Sequence, residues 1–334
     1  MKRLELILSR LLWLVPTLIG LGVITFAISH VIPTDPVAIL AGENATAEQI
    51  AALRTQLGFD RPLPVQLLAY FQDLLRGDMG VSLFSQQPIA EELATRLPAT
   101  LELTFAAVLL ASVLGIPLGV VSALRRNSAI DHALRIVTVS GLAIPSFWLA
   151  IQLQYLFAMQ IGVAPLNGRI DGFGPEPVTG LMLLDSLLQW DWESFWGALR
   201  HIALPAITLA LPAAATIARF TRAGVLEVVT SNYVLYERAM GLPGALVTWK
   251  YVLRNALIST VTQIGLIFGV LLSGAVVVEA VFDWPGLGAF AVISIIQSDH
   301  RAVMGFTLWA GAIFVIVNLI VDVLHTLIDP RSTR

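Results

Sequence analysis

An all-α integral membrane protein with six transmembrane helices is the fold this sequence predicts, and three observations carry it. Apolar residues make up 57% of the 334-residue chain and charged residues 13%, against about a quarter charged in soluble domains. With a mean hydropathy of +0.80 the chain has too little charge to cover itself in water. Six charge-poor runs, near residues 11–32, 99–124, 136–164, 201–221, 256–282 and 302–325, each supply the ~20 residues that cross a bilayer core as helix. Finally, 13 of the 20 Lys and Arg fall on one side of the resulting alternation, which the positive-inside rule makes cytoplasmic. Both termini then lie in the cytoplasm.

The first run follows Lys2, Arg3 and Arg10, as a signal peptide would. Its 22 uncharged residues exceed the ~7–15 of a secretory core, and no small-residue cleavage site closes it. It reads as a retained span. Residues 33–98 then form a small helical extracytoplasmic segment. Thr46 and Gln49 have capping-box spacing, Gly58 stops that helix, and "PLPVQLLAYFQDLLRG" reads as an amphipathic helix closed by Gly77. The second run carries Glu102 about one turn inside its outer end, where snorkelling or pairing with an outer-loop Arg explains it and contact with substrate is the alternative. The third holds Pro145 and Ser146 mid-run; the Gly-, Pro- and Trp-rich residues 165–200 then lie along the outer surface. The fourth contains Pro205 and Pro212, tolerated where neighbouring helices satisfy the freed carbonyls.

Between the fourth and fifth runs lies a connector, residues 226–258. Tyr233, Tyr236 and Met240 share one helical face, Gly241 is a stop signal, and Leu246, Trp249, Leu253 and Leu257 form a second stripe beside Lys250 and Arg254. A short helix, a bend and a second helix entering a span make a rigid lever. An interfacial amphipathic pair with snorkelling cations accounts for the same residues equally well. In the fifth run Ser259, Thr262, Gln263, Gly269 and Ser273 are small or polar at 3–4 residue spacing. That stripe suits a translocation path or close helix packing, Gly265 and Gly269 being a small-xxx-small pair. Glu279, Trp284 and Pro285 at its outer end are gate candidates. In the sixth run Asp322, with His325 one turn on, is expected to pair with a basic residue such as Arg10.

Several chemistries are excluded. There is no Cys, hence no disulfide or thiolate site, and the net charge of −3 suggests no nucleic-acid partner. Neither Lys2 nor Lys250 ends a G-x-x-x-x-G-K-[ST] loop, and H-E-x-x-H and G-x-S-x-G are missing. His30, His132, His201, His300 and His325 are spread over both sides, against one metal cluster. The chain is therefore read as no enzyme and as binding no cofactor.

"ERAMGL…YVLRNALISTVT" resembles the cytoplasmic "EAA" loop of ABC-importer permeases of the dipeptide/oligopeptide/nickel branch. So do "IPTDPV", "LGFDRPLPVQ", "RGDMGVS", "LPATLELT", "GIPLGVVSA", "HIALPAITLALP", "VVVEAVFDWPGLG" and "NLIVDVLHTLIDPR", in order along nearly the whole chain. The resemblance implies a type I ABC importer permease fold, divided into an N-terminal transmembrane helix (1–32), an extracytoplasmic subdomain (33–98) and a five-helix core (99–334). It implies a bacterial or archaeal cytoplasmic membrane, a second homologous permease, two ABC ATPases carrying ATP and Mg, an extracytoplasmic solute-binding protein, and surrounding lipid. It also implies that Tyr236, Glu237, Arg238, Ala239, Gly241 and Leu242 contact an ATPase. Where the family name has Glu-Ala-Ala this chain has Leu235, Tyr236 and Glu237, a departure bearing on which ATPase it accepts. Peptides are the expected substrate, with nickel chelates, opines and oligosaccharides as alternatives. A secondary transporter would instead need an internal repeat and intramembrane charge relays, neither of which is evident.

Overall fold

The computed structural model describes residues 2–31, 37, 41–42, 45–56 and 58–328, without the side chains of 2–11, 29–31, 274, 322 and 324–328. These residues are helical apart from turns, irregular connections (the longest over 161–181) and one isolated antiparallel bridge, Val81–Pro88. In chain order the helices used below are α1 (Lys2–Val31), α2 (Ala47–Gln56), α3 (Leu63–Leu75), α4 (Ile89–Leu124), α5 (Ala129–Ala143) and α6 (Ser146–Gln160). They continue with α7 (Met182–Leu188), α8 (Trp192–Val228), α9 (Asn232–Ala239), α10 (Gly244–Ser273), α11 (Val276–Val281), α12 (Leu287–Ile296) and α13 (His300–Ile328). Among the described residues four helices, α4, α8, α10 and α13, are long and apolar enough to cross a membrane, and the bent pair α5–α6 makes a fifth if it is one span. The chain is an all-α membrane protein.

The expected capping box is present. Thr46 N–H donates to Gln49 Oε1 at 2.9 Å and Gln49 N–H to Thr46 Oγ1 at 3.3 Å. Gly58 and Gly77 both have positive φ, +76° and +80°, the left-handed conformation that glycine adopts without steric cost. The spans at α4 and α8 are longer than their hydropathy suggests, 36 and 37 residues. The expectation of one continuous helix over 136–164 is corrected: α5 and α6 meet at a 98° bend. Pro145 has no N–H to continue α5, and it forces Ile144 into extended backbone at φ −80°, ψ 121°.

Glycines set the packing of the long helices. A Cβ on Gly115 of α4 would stand 2.7 Å from Ala214 O of α8, and one on Gly119 2.5 Å from Ala218 O, so these two helices run parallel and in backbone contact. Gly224 of α8 approaches Ala256 O of α10 in the same way, while Gly265 and Gly269 of α10 lie against Val321 and Val317 of α13. Gly311 of α13 meets Leu21 of α1, and Gly22 of α1 faces Leu308. Small residues let helix backbones approach closely where no hydrophobic force drives them together. With Thr221 of α8 also 3.3 Å from Thr260 of α10, these pairings make α4, α8 and α13 run one way, α1 and α10 the other.

Two apolar clusters sit at opposite ends of α4. One gathers Ala99, Leu103 and Ala107 with Ile202, Val278, Phe282 and Trp284. The other gathers Val120 and Ala123 with Val225, Val234, Val247 and Val252. From Ala99 to Ala123 a helix rises about 36 Å at 1.5 Å per residue, so the outermost members of the two clusters span the thickness of a bilayer core.

Candidate coupling surface and opposite-end latch

The connector is built as the sequence suggests. Its short helix α9 ends on Met240, and Gly241 takes φ +79°. Gly241 N–H donates to Arg238 O at 3.0 Å and Leu242 N–H to Glu237 O at 3.4 Å, the pair of bonds that defines a Schellman stop. The chain re-enters helix after Pro243, and α10 carries a π-helical stretch, Val247–Val252, before its regular part. Val234, Val247 and Val252 are fully buried in the cluster with Val120, Ala123 and Val225, and Leu242 packs against it. These anchors fix α9 to the ends of α4 and α8.

The other face of α9 is bare. Tyr236 and Met240 are each 64% exposed, Arg238 and Ala239 are exposed, and Glu237 is half-buried. Trp249, Lys250 and Arg254 on α10 are exposed as well. Tyr233, on the same side, accepts a hydrogen bond from Asn255 Nδ2 at 2.9 Å. Six residues singled out in the sequence, Tyr236 to Ala239 with Gly241 and Leu242, are thus one rigidly held turn.

Beside this turn is an ionic centre that sequence reasoning missed. The buried Asp131 carboxylate accepts from Arg222 Nε at 2.9 Å and from its second guanidinium nitrogen at 3.0 Å. It also takes Ser122 Oγ at 2.6 Å and Asn127 N–H at 3.0 Å. It joins α4, the following turn, α5 and α8. Ser128 caps α5 from three residues before Asp131, a signature legible in principle, but nothing in the sequence pairs position 131 with 222.

At the far end, Glu279 is fully buried. It accepts from Thr100 Oγ1 at 2.8 Å, Gly288 N–H at 2.7 Å and Ala289 N–H at 3.2 Å. Thr100 Oγ1 in turn accepts from Leu287 N–H at 2.8 Å, and Trp284 Nε1 donates to Ala99 O at 2.9 Å. Glu279 and Trp284 therefore latch α11 and α12 onto α4 at Ala99 and Thr100, three turns from its start, while Pro285 is exposed between them. A Cβ on Gly286 would fall 2.4 Å from the Glu279 carboxylate and one on Gly288 2.4 Å from the Val276 backbone, so the "PGLG" glycines are required by close approach.

Glu102 pairs with an arginine of the 165–200 connection, the kind of partner the sequence leads one to expect. Arg169 holds it through Nε at 3.1 Å and through its terminal nitrogen, and Leu183 N–H donates to its other oxygen at 2.6 Å. Asp185 gathers the same loop by accepting from Thr179 Oγ1 at 2.6 Å and from the N–H groups of Val178, Thr179 and Gly180. Burial raises the pKa of Asp185, but the Thr179 hydroxyl and those three N–H groups outweigh it and hold the carboxyl below its ordinary value.

The path candidates divide. Gly269 packs on Val317 and Phe314 of α13, and Ser259 approaches Gly224 of α8. Thr262 Oγ1 donates to Ile258 O at 3.1 Å and Ser273 Oγ to Gly269 O at 3.2 Å, bonds that let a hydroxyl face an apolar or mixed surface. Ser259 is exposed, Gln263 and Ser273 half-exposed, on the side of α10 that also shows Leu266 and Val270. Pro145 and Ser146 lie at the α5–α6 bend, away from that stripe in sequence and not joined to it by any described hydrogen bond. The expected pairing of Asp322 and His325 with Arg10 falls on side chains outside the described residues. Among the described residues no three His, Asp or Glu come together as a metal site.

Residues 115–334 match the family described as "Binding-protein-dependent transport system inner membrane component", and residues 3–104 match its N-terminal membrane-component partner. The chain belongs to this family. As a permease of that family it is a transport component of the inner membrane rather than an enzyme. It is 46% identical over 331 residues to the probable D,D-dipeptide transport system permease protein DdpB of Escherichia coli strain K12, covering 98% of this chain and 97% of that one. It is 38% identical over 333 residues to the dipeptide transport system permease protein DppB of the same strain, and 98% of each chain is covered. Against the glutathione transport system permease protein GsiC of Salmonella choleraesuis the identity is 37% over 327 residues, again with 98% of each covered. Among solved structures, a chain of the MetNI methionine ABC transporter in inward-facing conformations superposes with TM-score 0.54 at 20% identity, covering 71% of this permease and 96% of that chain. At that identity the likeness speaks for the fold alone.

Proposed function

We propose that this permease forms half of the translocation path of an ATP-driven ABC importer for short peptides. In this reading a second homologous permease completes the path, two ABC ATPases bind and hydrolyse ATP with Mg beneath it, and an extracytoplasmic solute-binding protein delivers the peptide. The observation that carries it is the connector: a turn pinned to the ends of α4 and α8 by buried valines, with Tyr236, Arg238 and Met240 left exposed. A surface both rigid and uncovered is what a partner must grip to move the bundle. The named relatives, permeases for D,D-dipeptides, dipeptides and glutathione, support peptides as cargo.

Six spans with both termini in the cytoplasm complete the proposal. The helix directions support it, because they bring the start of α1, the end of α13 and the connector to one end of the bundle. The bent pair supports it too: α5 begins beside Arg222, and midway along α6 Gln154 donates to Val281 O, near the other end. That progression is a broken span.

Transport then proceeds by alternating access. Closing of the ATPases carries α9 inward, the paired permeases rock open to the outside, and nucleotide hydrolysis resets them. Tyr236, Glu237, Arg238, Ala239, Gly241 and Leu242 form the grip. Ser259, Thr262, Gln263 and Ser273 line the path on the exposed side of α10, with Gly269 setting its distance from α13 and Pro145 and Ser146 a second wall. Glu279, Trp284 and Pro285 belong to the outer gate. Moving such an equilibrium from 1:99 to 99:1 takes about 5.5 kcal/mol of differential affinity, well within a nucleotide-driven partner's reach. Arg238→Glu should abolish peptide uptake and the stimulation of ATP hydrolysis in proteoliposomes of the full complex, while the permease remains membrane-inserted. Uptake at the unmodified rate would overturn the assignment of the grip.

A further inference from the structure

Helix α3 reads from the sequence as part of a water-exposed segment, but its packing places it lower. Both of its flanks touch Arg301, at the start of α13. The Arg301 guanidinium lies 5.8 Å from the Phe59 ring, and a Cβ on Gly80 would be 3.9 Å from Arg301 Cδ. Between those flanks the chain descends. A Cβ on Gly22 of α1 would stand 3.0 Å from Phe71 Cζ and 3.6 Å from Leu308 Cδ2. Leu308 is seven residues beyond Arg301, about 10 Å further along α13 at 1.5 Å per residue. Gly22 is the midpoint of the uncharged run 11–32, about 15 Å from either end, the half-thickness of a bilayer core. One turn further along α1 the Tyr70 ring lies 6.4 Å from that of Phe26, and the Tyr70 hydroxyl is buried with no hydrogen-bond partner among the described residues.

The outward face of α3 is equally telling. On it Val65, Leu68 and Leu75 are 44, 61 and 89% exposed, with Gln72 the one polar residue exposed among them. Asp73, two residues past Phe71, is the helix's one charge, and it is offset by Arg76 at 3.8 Å. Beside it α1 exposes Ile19 and Val23, so the apolar surface of α3 continues that of a helix in a membrane protein. Thirteen residues rise only about 20 Å as helix, too short to cross and suited to entering and leaving one leaflet.

We propose that α3 is a re-entrant helix whose outer face, centred on Leu68, contacts lipid acyl chains in the leaflet at the α1 C-terminal end. Nearly uncharged, with its aromatic side against α1 and α13 and its aliphatic side bare, α3 requires an apolar cover, and lipid already bounds its neighbour. The inference rests on membership of a membrane-protein family and not on the coupling surface. The chain contains no cysteine, so a single introduced thiol labels it at one position.

Spin labels at Leu68→Cys and Ala51→Cys, the latter exposed on the polar helix α2, would be compared in the complete complex reconstituted in liposomes, with the complex lacking the introduced thiol as background. The Leu68 label should collide severalfold more with dissolved oxygen than with a water-soluble nickel chelate, and the Ala51 label should show the reverse. If Leu68→Cys fails to assemble, Val65→Cys on the same face carries the same expectation. A Leu68 or Val65 label as open to the nickel chelate as Ala51 means a water-exposed helix, and protection from both reagents means a protein cover. Either result overturns the proposal.

Discussion

Replacing Gly241 tests whether the connector must be bent to work. At φ +79° its backbone is in the left-handed region, and an added Cβ would meet nothing within 4 Å. The effect of a side chain here is therefore conformational, with no steric clash mixed in. An L-residue in that region costs roughly 1–2 kcal/mol, which lowers the ratio of bent to unbent connector about 5–30-fold. Asparagine, which enters the left-handed region more readily, should lose less. Proline should lose most: its ring holds φ near −65°, and it has no N–H for the 3.0 Å bond to Arg238 O. Stimulated ATP hydrolysis, titrated against added ATPase subunits in proteoliposomes, reads this directly. The half-maximal ATPase concentration should rise in the order Gly241, Gly241→Asn, Gly241→Ala, Gly241→Pro, with the alanine shift bounded by that same factor. If alanine and proline variants titrate like the unmodified protein, or asparagine behaves like proline, the bend is not what the partner recognises.

Two further outcomes concern the other end of the bundle. Thr100→Val keeps the side chain's shape but removes the hydroxyl shared by Glu279 and Leu287 N–H; leaving buried groups unsatisfied should destabilise the latch by about 1–3 kcal/mol, seen as a lower melting temperature in detergent, and Thr100→Ser should retain most of it. Asp185 predicts an acid response: its folded pKa lies below its ordinary value, so its contribution is complete above about pH 3.9 and is lost as pH falls through the folded pKa. Amide exchange in residues 176–189 should accelerate across that acid window, and in Asp185→Asn the extra acceleration should vanish.

Much of this molecule was legible from residue type alone because the bilayer simplifies the problem. Runs of apolar residues, Thr46 and Gln49 at capping spacing, Gly241 as a stop and Glu102 needing an arginine all follow from local chemistry. What escaped depended on distance in sequence. Asp131 and Arg222 are 91 residues apart, and Thr100 meets Glu279 across 179; neither spacing leaves a periodic trace. The bend at Pro145 was visible as a proline but not as a 98° break, since prolines at 205 and 212 leave α8 one helix. The difference lies in Ile144, which leaves the helical region before Pro145. The depth of α3 was illegible for another reason: its composition fits a surface helix and an immersed one alike, and only Gly22 and Leu308 beside Phe71 distinguish them.

The distribution of tight contacts bears on how a push at one end could reach the other. Between the two clusters, α4 and α8 touch backbone to backbone at Gly115 and Gly119, where even a methyl group would collide. Their ends are tied as well, by Asp131 with Arg222 at the connector and by Thr100 with Glu279 at the latch. Close-packed helices with so little free volume do not bend continuously; they move as units and repack at their borders. In the proposed coupling role, a push on α9 would be carried along α4 by these contacts, and the movement would be taken up at the borders of the pair. The exposed side of α10 and the break between α5 and α6 are such borders. On this view the connector needs no flexible relay behind it, because the helix pair it grips already ends at the segment holding Glu279 and Trp284.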